Sequence, residues 1–310
     1  MVEVRNLSMS YGKKEVLKDV SFQIDNGKTI GLLGSNGAGK STTMNILTGY
    51  LKPQQGDVIM NGVNMSNNPK QAKKMIGYLP EIPPLYKDMK VREYLIFVAQ
   101  LKGLVARDEE VDNVLQLMNL EEIQYDFIKK LSKGMQQRVG FAQAMLGKPE
   151  ILILDEPLVG LDPIEAKRTR ELIKSLKGNH SVIISSHVLK EIEELCDFVL
   201  ILKDGKVVLN DSTSDVKKKG NKDTYRIVVK GVYEEITDII KNYDGIQSFS
   251  FVREQEKDVY EFLLKAKNTR DMRDKILGYL ANKRVSVYAI ERTQASLEDV
   301  YIQLNEQEEK

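Results

Sequence analysis

The sequence predicts an α/β fold organised around a glycine-rich loop, followed by a smaller α+β domain of ferredoxin-like order. Three observations carry this. Residues 29–33 form a short apolar run that enters a glycine-rich loop and then a helical pattern over 40–49. Residues 151–154, an unbroken apolar run, and 181–185, an apolar triplet between two serines, read as buried strands, each followed by a helical pattern, as in a parallel sheet. The last ninety or so residues run strand, helix, strand, strand, helix, strand, the βαββαβ order of a ferredoxin-like unit.

Each element has a local reason. Residues 2–7 and 21–24 alternate apolar and polar side chains, like strands with one buried face. Residues 91–102, 108–118 and 135–146 repeat apolar side chains at helical spacing, and 76–79 is a short strand. Residues 198–203 and 206–210 flank Asp204-Gly205, a favoured two-residue hairpin turn. In the tail, 225–229, 247–252, 258–264 and 285–290 read as strands, and 233–242 and 269–282 as helices. A last helix over 296–305 opens with Ser-Leu-Glu-Asp, a capping residue followed by early carboxylates.

Turn residues mark the division. Of 21 glycines, 17 fall within residues 1–215, and all 8 prolines lie at or before Pro163. The polar, lysine-rich stretch after them reads as a connector. The expected organisation is therefore a first domain over 1–215, a linker over 216–222 and a second domain over 223–310.

Composition excludes several classes. The 310 residues carry a formal charge of +1, 42% apolar and 29% charged residues, an ordinary globular balance. Bulk charge gives no reason to expect nucleic acid as a partner. The longest apolar runs are far below the roughly 20 residues that span a bilayer, and no basic-then-apolar leader precedes the first strand. The single cysteine, Cys196, supports neither an internal disulfide nor a cysteine metal cluster.

The chemistry sits in Gly34-Ser35-Asn36-Gly37-Ala38-Gly39-Lys40-Ser41-Thr42. It matches G-x-x-x-x-G-K-[ST] between a strand and a helix, the context that gives the pattern meaning. Its glycines let backbone N–H groups curl inward around phosphate oxygens, and the helix adds its positive dipole end. Lys40 reaches the β- and γ-phosphates of a nucleotide, and the Ser41 hydroxyl is a ligand for Mg²⁺. A second acidic site supports this: the strand 151–154 ends at Asp155-Glu156. Asp155 is placed to meet Mg²⁺, commonly through water, and Glu156 to position or deprotonate an attacking water.

In this company the sequence resembles the ATP-binding subunits of ABC transporters, over roughly residues 1–212. Tyr11, in S-Y-G, matches the aromatic residue that stacks on adenine. Leu131-Ser132-Lys133-Gly134-Met135 falls where the family has L-S-G-G-Q, and that signature separates it from other phosphate-loop ATPases. Asp155 and Glu156 match Walker B and its catalytic glutamate. Gly160-Leu161-Asp162 matches the loop that communicates between paired subunits, and His187, in S-S-H, the switch histidine that bonds the γ-phosphate. Three positions depart from the pattern. Glu81 stands where glutamine is usual; it can take a metal-bound water but adds a negative charge. Lys133 replaces the first glycine of the signature and Met135 its glutamine. Such variants resemble exporter ATPases of the drug-efflux, sodium-efflux and gliding-motility type. The tail, ending in Ser296-Leu297-Glu298-Asp299-Val300-Tyr301, resembles the C-terminal domain of the same exporters.

The resemblance implies a phosphate-loop ATPase fold with a mixed sheet core, an antiparallel β subdomain and a helical subdomain at about 84–147. It implies ATP and Mg²⁺ as cofactors, with Lys40, Glu156 and His187 catalytic and Ser41, Asp155 and Glu81 at the metal. It implies two copies facing head to tail, each ATP held between the phosphate loop of one and Ser132 and Gly134 of the other. It implies a separate membrane-spanning permease, docked between Glu81 and Gly103 with the loop 83–89 as the contact, and a peripheral place on the cytoplasmic face of the membrane. No nucleic-acid partner is expected. The alternative is a soluble ABC ATPase acting on ribosomes or DNA. It fits less well: the chain has one cassette, and the roughly ninety residues from Lys40 to Leu131 carry several prolines and leave no room for a long coiled-coil arm.

Overall fold

Two hydrophobic patterns build the first part of the chain, one alternating and one unbroken. The computed structural model describes residues 1–219, 224–267, 270–293, 297–298 and 300–301. Contacts divide the chain into Met1–Ser212 and Thr213–Lys310. The first unit holds, in order, β1 (Val2–Tyr11), β2 (Lys14–Ile24), β3 (Thr29–Leu33), α1 (Lys40–Leu47), β4 (Gln55–Met60), β5 (Val63–Asn64), α2 (Pro69–Lys74), β6 (Ile76–Leu79), α3 (Val91–Leu101), α4 (Arg107–Leu117), α5 (Lys133–Met145), β7 (Ile151–Asp155), α6 (Pro163–Leu176), β8 (Ser181–Ser185), α7 (Leu189–Leu195), β9 (Phe198–Lys203) and β10 (Lys206–Ser212).

The alternating strands form an antiparallel sheet in the order β2-β1-β4-β5. Val2, Val4, Leu7 and Met9 are its buried face in β1. Val4 and Leu7 are three apart, so strict alternation would put Leu7 in solvent. A register shift between them, with Asn6 at φ 49°, returns Leu7 to the core. Both strands therefore run longer than the alternation at 2–7 and 21–24 indicates.

The unbroken apolar strands form a six-stranded sheet, β10-β9-β3-β8-β7-β6. β6, β7, β8, β3 and β9 are parallel, and β10 returns antiparallel from β9. Ile151, Leu152, Ile153 and Leu154 are all 0% exposed, as helices on both faces require. Asp204 and Gly205 both have positive φ, 49° and 79°, the type I′ geometry of a tight hairpin. β3 lies between β9 and β8, so the loop after it opens at the carboxyl edge beside the ends of β8 and β7, where ligands bind in open α/β sheets. Between β6 and β7 the chain builds α3, α4 and α5. The apolar face of α3 is core: Val91, Tyr94, Leu95 and Val98 are buried.

The second unit holds α8 (Thr213–Lys219), β11 (Thr224–Lys230), α9 (Tyr233–Lys241), β12 (Ile246–Glu256), β13 (Val259–Ala266), α10 (Arg273–Asn282) and β14 (Ser286–Arg292). The stretch expected as a linker at 216–222 thus begins as helix. The sheet order β12-β13-β11-β14, all antiparallel, is the ferredoxin-like arrangement. Tyr225, Ile227 and Val229 pack with Ile236, Ile240, Phe262 and Ile276 in its core. The second helix starts at Arg273 rather than near 269. Most of the helix expected at 296–305 lies outside the described residues.

Candidate active site

The loop after β3 is shaped by close packing. A side chain at Gly34 would put Cβ 2.5 Å from the Leu202 carbonyl oxygen, and one at Gly39, at φ 107°, would lie 2.6 Å from Leu17 Cδ2. Only glycine lets the loop sit against β9 and β2 at these points. The turn closes with the Ala38 N–H donating to Ser35 O (3.1 Å), and α1 starts with the Thr43 N–H donating to Gly39 O (2.9 Å). Ser35, Asn36, Gly37 and Ser41 are exposed, while Ala38 and Thr42 are buried beneath the loop.

Lys40 folds back over this loop. Its ammonium donates to Gly34 O (2.6 Å) and Ser35 O (3.2 Å). Burial lowers its pKa below the ordinary lysine value, and the charges of Glu156 and then Asp155 pull it partly back. One cation, two carboxylates and a loop of exposed backbone amides therefore meet at one edge of the sheet. A polyphosphate can replace the two carbonyls as the partner of Lys40.

The carboxylates are positioned by a residue that motif reading misses. Asp155 pairs in register with Ser185 across β7 and β8. The Ser185 hydroxyl donates to Asp155 and accepts the Glu156 N–H at 2.9 Å, while the Ser185 carbonyl accepts the same N–H at 3.2 Å. Ser185 is 0% exposed. These bonds hold Glu156 at φ 48°, an uncommon conformation for a side-chain-bearing residue. From there its carboxylate accepts a hydrogen bond from His187 Nδ1 at 2.9 Å. Glu156 is largely sheltered (13% of its side chain exposed) and His187 open (61%). Tyr78 on β6 is a second group missed by motif. Burial, and after it the charge of Asp155, push its phenol up to about 12, so it stays neutral. Ser185 opens the S-S-H stretch but takes no role from that motif, and Tyr78 has no motif signal; the adjacent ends of the parallel strands are what bring them in.

The other expected site residues lie apart from this cluster. Tyr11 ends β1, half exposed and opposite Lys14 in the hairpin. Glu81 is exposed just past β6, whose Leu79 pairs with Leu154 of β7, so it shares the edge that carries Asp155. Ser132 is the N-cap of α5, its hydroxyl accepting the Met135 N–H at 3.2 Å. Gly134 lies against the side chain of Glu165, and the Lys133 ammonium crosses Gly160, where a Cβ would stand only 2.0 Å from it. Asp162 is the N-cap of α6 and accepts from the Ile164 and Glu165 N–H groups at 2.9 and 3.0 Å. Among the described residues, no hydrogen bond or ion pair joins Ser132, Gly134 or Asp162 to Lys40, Glu156 or His187.

Two links tie the signature segment to its neighbours. Gln137 of α5 is buried and donates to Pro157 O at 3.3 Å, just after Glu156. The loop 83–89 is bonded to the approach to the signature: the Lys129 N–H donates to Lys87 O and the Ile128 N–H to Met89 O, both at 3.0 Å. Tyr86 of that loop, half exposed, packs edge-on to Tyr94 at 6.0 Å.

The family model described as ABC transporter matches residues 17–159. The bacitracin transport ATP-binding protein BcrA of Bacillus licheniformis is 32% identical over 306 residues, 98% of this chain and 97% of that protein. A solved structure described as the ATP binding subunit of an ABC transporter is 33% identical, covers 71% of this chain and 92% of its own, and has a TM-score of 0.65. A dimeric structure of the ATP-binding cassette MJ0796 in a post-hydrolysis state, bound to ADP and Pi, is 25% identical with a TM-score of 0.62, over 69% of this chain and 99% of its own.

Proposed function

The chain belongs to the ABC transporter family as an ATP-binding, ATP-hydrolysing cassette, and on that footing we propose that it powers a separate membrane-spanning subunit by closing on a second copy around ATP. The observation that carries the reading is the cluster at the sheet edge: Lys40 over the phosphate loop, Asp155 and Glu156 fixed by Ser185, and His187 2.9 Å from Glu156. The transport role draws on the relatives. BcrA is named for bacitracin transport and SrtF of Streptococcus pyogenes for lantibiotic transport. Both names favour a transport ATPase over one acting on ribosomes or DNA, and the exporter reading follows the signature variants. Among the described residues no helix is long and apolar enough to cross a membrane. In this reading a separate spanning chain supplies the path, and this chain works at the membrane's cytoplasmic face.

The donor set fits Mg²⁺. Ser41 offers an exposed hydroxyl, Asp155 a partly buried carboxylate and Glu81 an exposed one, all hard oxygen ligands. Mg²⁺ bound there with ATP would neutralise phosphate charge. The protein's own groups do the rest. Lys40 exchanges its two loop carbonyls for the β- and γ-phosphates. Tyr11 stacks on the base. Glu156, held in place by Ser185, takes or orients the attacking water, and His187 turns from Glu156 to the γ-phosphate. Positioning and charge stabilisation of this kind dominate phosphoryl transfer.

One copy is incomplete. Among the described residues Ser132 and Gly134 make no bond to their own chain's nucleotide cluster; following the family pattern, we infer that they face the γ-phosphate on the opposite copy, with Asp162 near the junction. The loop 83–89, bonded to residues 128–129, passes the permease's movement to the signature a few residues on. The test is turnover of the purified chain with and without its membrane subunit: slow hydrolysis, raised by the membrane subunit, supports the reading. A rate unchanged by every membrane subunit tried contradicts it.

A further inference from the structure

Away from the nucleotide cluster, a cleft of about 580 Å³ opens between α2 and the far ends of α3 and α5. Its charged lining is of one sign: Lys70, Lys73 and Lys74 of α2 and Lys102 just past α3, with no carboxylate among the lining side chains. One acid touches the lining from behind: Glu110 accepts the N–H of lining Gly147 at 3.4 Å and lies 3.6 Å from Lys148, outside the lysine cluster. No ion pair joins Lys70, Lys73 or Lys74 to an acid among the described residues. Lys73 and Lys74 suit the last turn of α2, but Lys70 sits in the first turn, where a cation is disfavoured. Helix electrostatics alone do not account for the cluster.

The rest of the lining is apolar. Ile76, Leu104 and Leu146 form the floor, and Leu101 stands at the rim 70% exposed. Val105, next along the chain, is 98% exposed, and Tyr50, in an adjoining hollow that shares Lys73 and Ile76, is 84% exposed. Exposed apolar side chains gathered around a cleft mark an interaction surface. Cations beside an apolar floor select an occupant that is acidic on one side and apolar on the other.

We propose that this cleft seats an acidic, amphipathic cytosolic segment of the membrane-spanning partner, its carboxylates toward the lysines and its apolar side on Ile76, Leu101 and Leu104. The proposal rests on the reading of this chain as a transport subunit and gives the partner's chemistry at a second contact, at the opposite end of α3 from the loop 83–89. Anionic lipid is the weaker match, since the charges line a concave cleft with an apolar floor instead of a flat basic face. Lys102 is already fixed: its ammonium donates to Leu146 O (2.8 Å) and Gln143 O (3.2 Å) at the end of α5. A carboxylate brought into the cleft would therefore meet a preset cation that it shares with the last turn of the signature helix.

The test places a photo-crosslinking residue at Leu101 of the full chain, produced with its membrane subunit, and identifies the crosslinked peptide by mass spectrometry. The expected product is a cytosolic segment of the polytopic subunit with two or more Asp or Glu beside apolar residues. Lys70→Glu with Lys73→Glu and Lys74→Glu should cut both the crosslink and the membrane-stimulated hydrolysis at least tenfold, while the triple arginine variant keeps both. Crosslinks to lipid, to a second copy or to a segment without acids overturn the proposal, as does full stimulation of the triple glutamate variant. If no membrane subunit alters hydrolysis by the unsubstituted chain, the transport reading fails as well, which separates the two failures.

Discussion

His187 Nδ1 lies 2.9 Å from Glu156 Oε2, so the open end of one strand and the sheltered end of another share a single hydrogen bond. The bond orients Glu156 from the solvent side, while Ser185 fixes its backbone from the core side. A γ-phosphate offers His187 a better-charged acceptor, so nucleotide and glutamate compete for one imidazole. In the proposed mechanism that competition is what lets the histidine report on the nucleotide.

His187→Ala should therefore lower kcat by about 10²-fold or more, within the range for loss of a positioned polar group. ATP affinity should change far less, because Lys40 and the loop amides remain. Single-turnover hydrolysis beside equilibrium nucleotide binding separates the two. Equal losses in both would assign His187 to ground-state binding.

Ser185→Ala tests the positioning role. It removes the donor to Asp155 and one of two acceptors for the Glu156 N–H at a fully buried site. The expected cost is about 1–3 kcal/mol of stability, with a fall in kcat at near-normal ATP affinity. Chemical melts and steady-state kinetics on the same preparation check it. A variant as active as the parent would make Ser185 purely structural.

Lys102 predicts a pH effect. Burial lowers its pKa from the usual 10.5 to about 8. Between those values the unfolded chain binds more protons than the folded one, so stability rises with pH across that window. Urea melts at pH 7.5 and 9.5 should show a change more favourable in the parent than in Lys102→Met by about 1–2 kcal/mol, a difference from which the opposing shift of Cys196 and the reinforcing shift of Lys40 cancel. Working below pH 10 avoids the opposing effect of Tyr78 and Tyr94, both raised to about 12 by burial. A change of the same size in Lys102→Met would assign the effect to other groups.

Cys196 offers a reporter of opening. It is 5% exposed, and burial pushes its thiol well above the ordinary range. It packs where α7 meets β3, since a Cβ on Gly31 would lie 3.1 Å from its sulfur. A disulfide reagent should label it only as fast as this region opens, and much faster in urea. Rapid labelling of the native protein would contradict that burial.

Much of the site was legible because its chemistry is contiguous. The phosphate loop and Asp155-Glu156 each occupy one short stretch, and the unbroken apolar runs before them mark buried parallel strands. Ser185 was not legible as a positioning residue, because its role depends on the register Asp155 to Ser185, which is set by sheet order. β1 and β2 were read short because an irregularity in each, at Asn6 in β1 and at Asp19 in β2, breaks the alternation. β4 opens on Gln55 and Gly56 and hides among turn residues. β12 continues past Val252 into exposed polar and charged residues, Arg253 to Glu256, that carry no apolar signal.

The central claim is that ATP is held between two copies and that its hydrolysis to ADP and phosphate, with Glu156 acting on the water, lets the copies part. The direct measurement is the mass in solution of Glu156→Gln with and without ATP, together with its bound nucleotide and turnover. The account predicts a dimer carrying unhydrolysed ATP, a monomer without it, and kcat reduced by about 10²–10⁴-fold. A Glu156→Gln chain that stays monomeric with ATP, or turns over at the parent's rate, would contradict it.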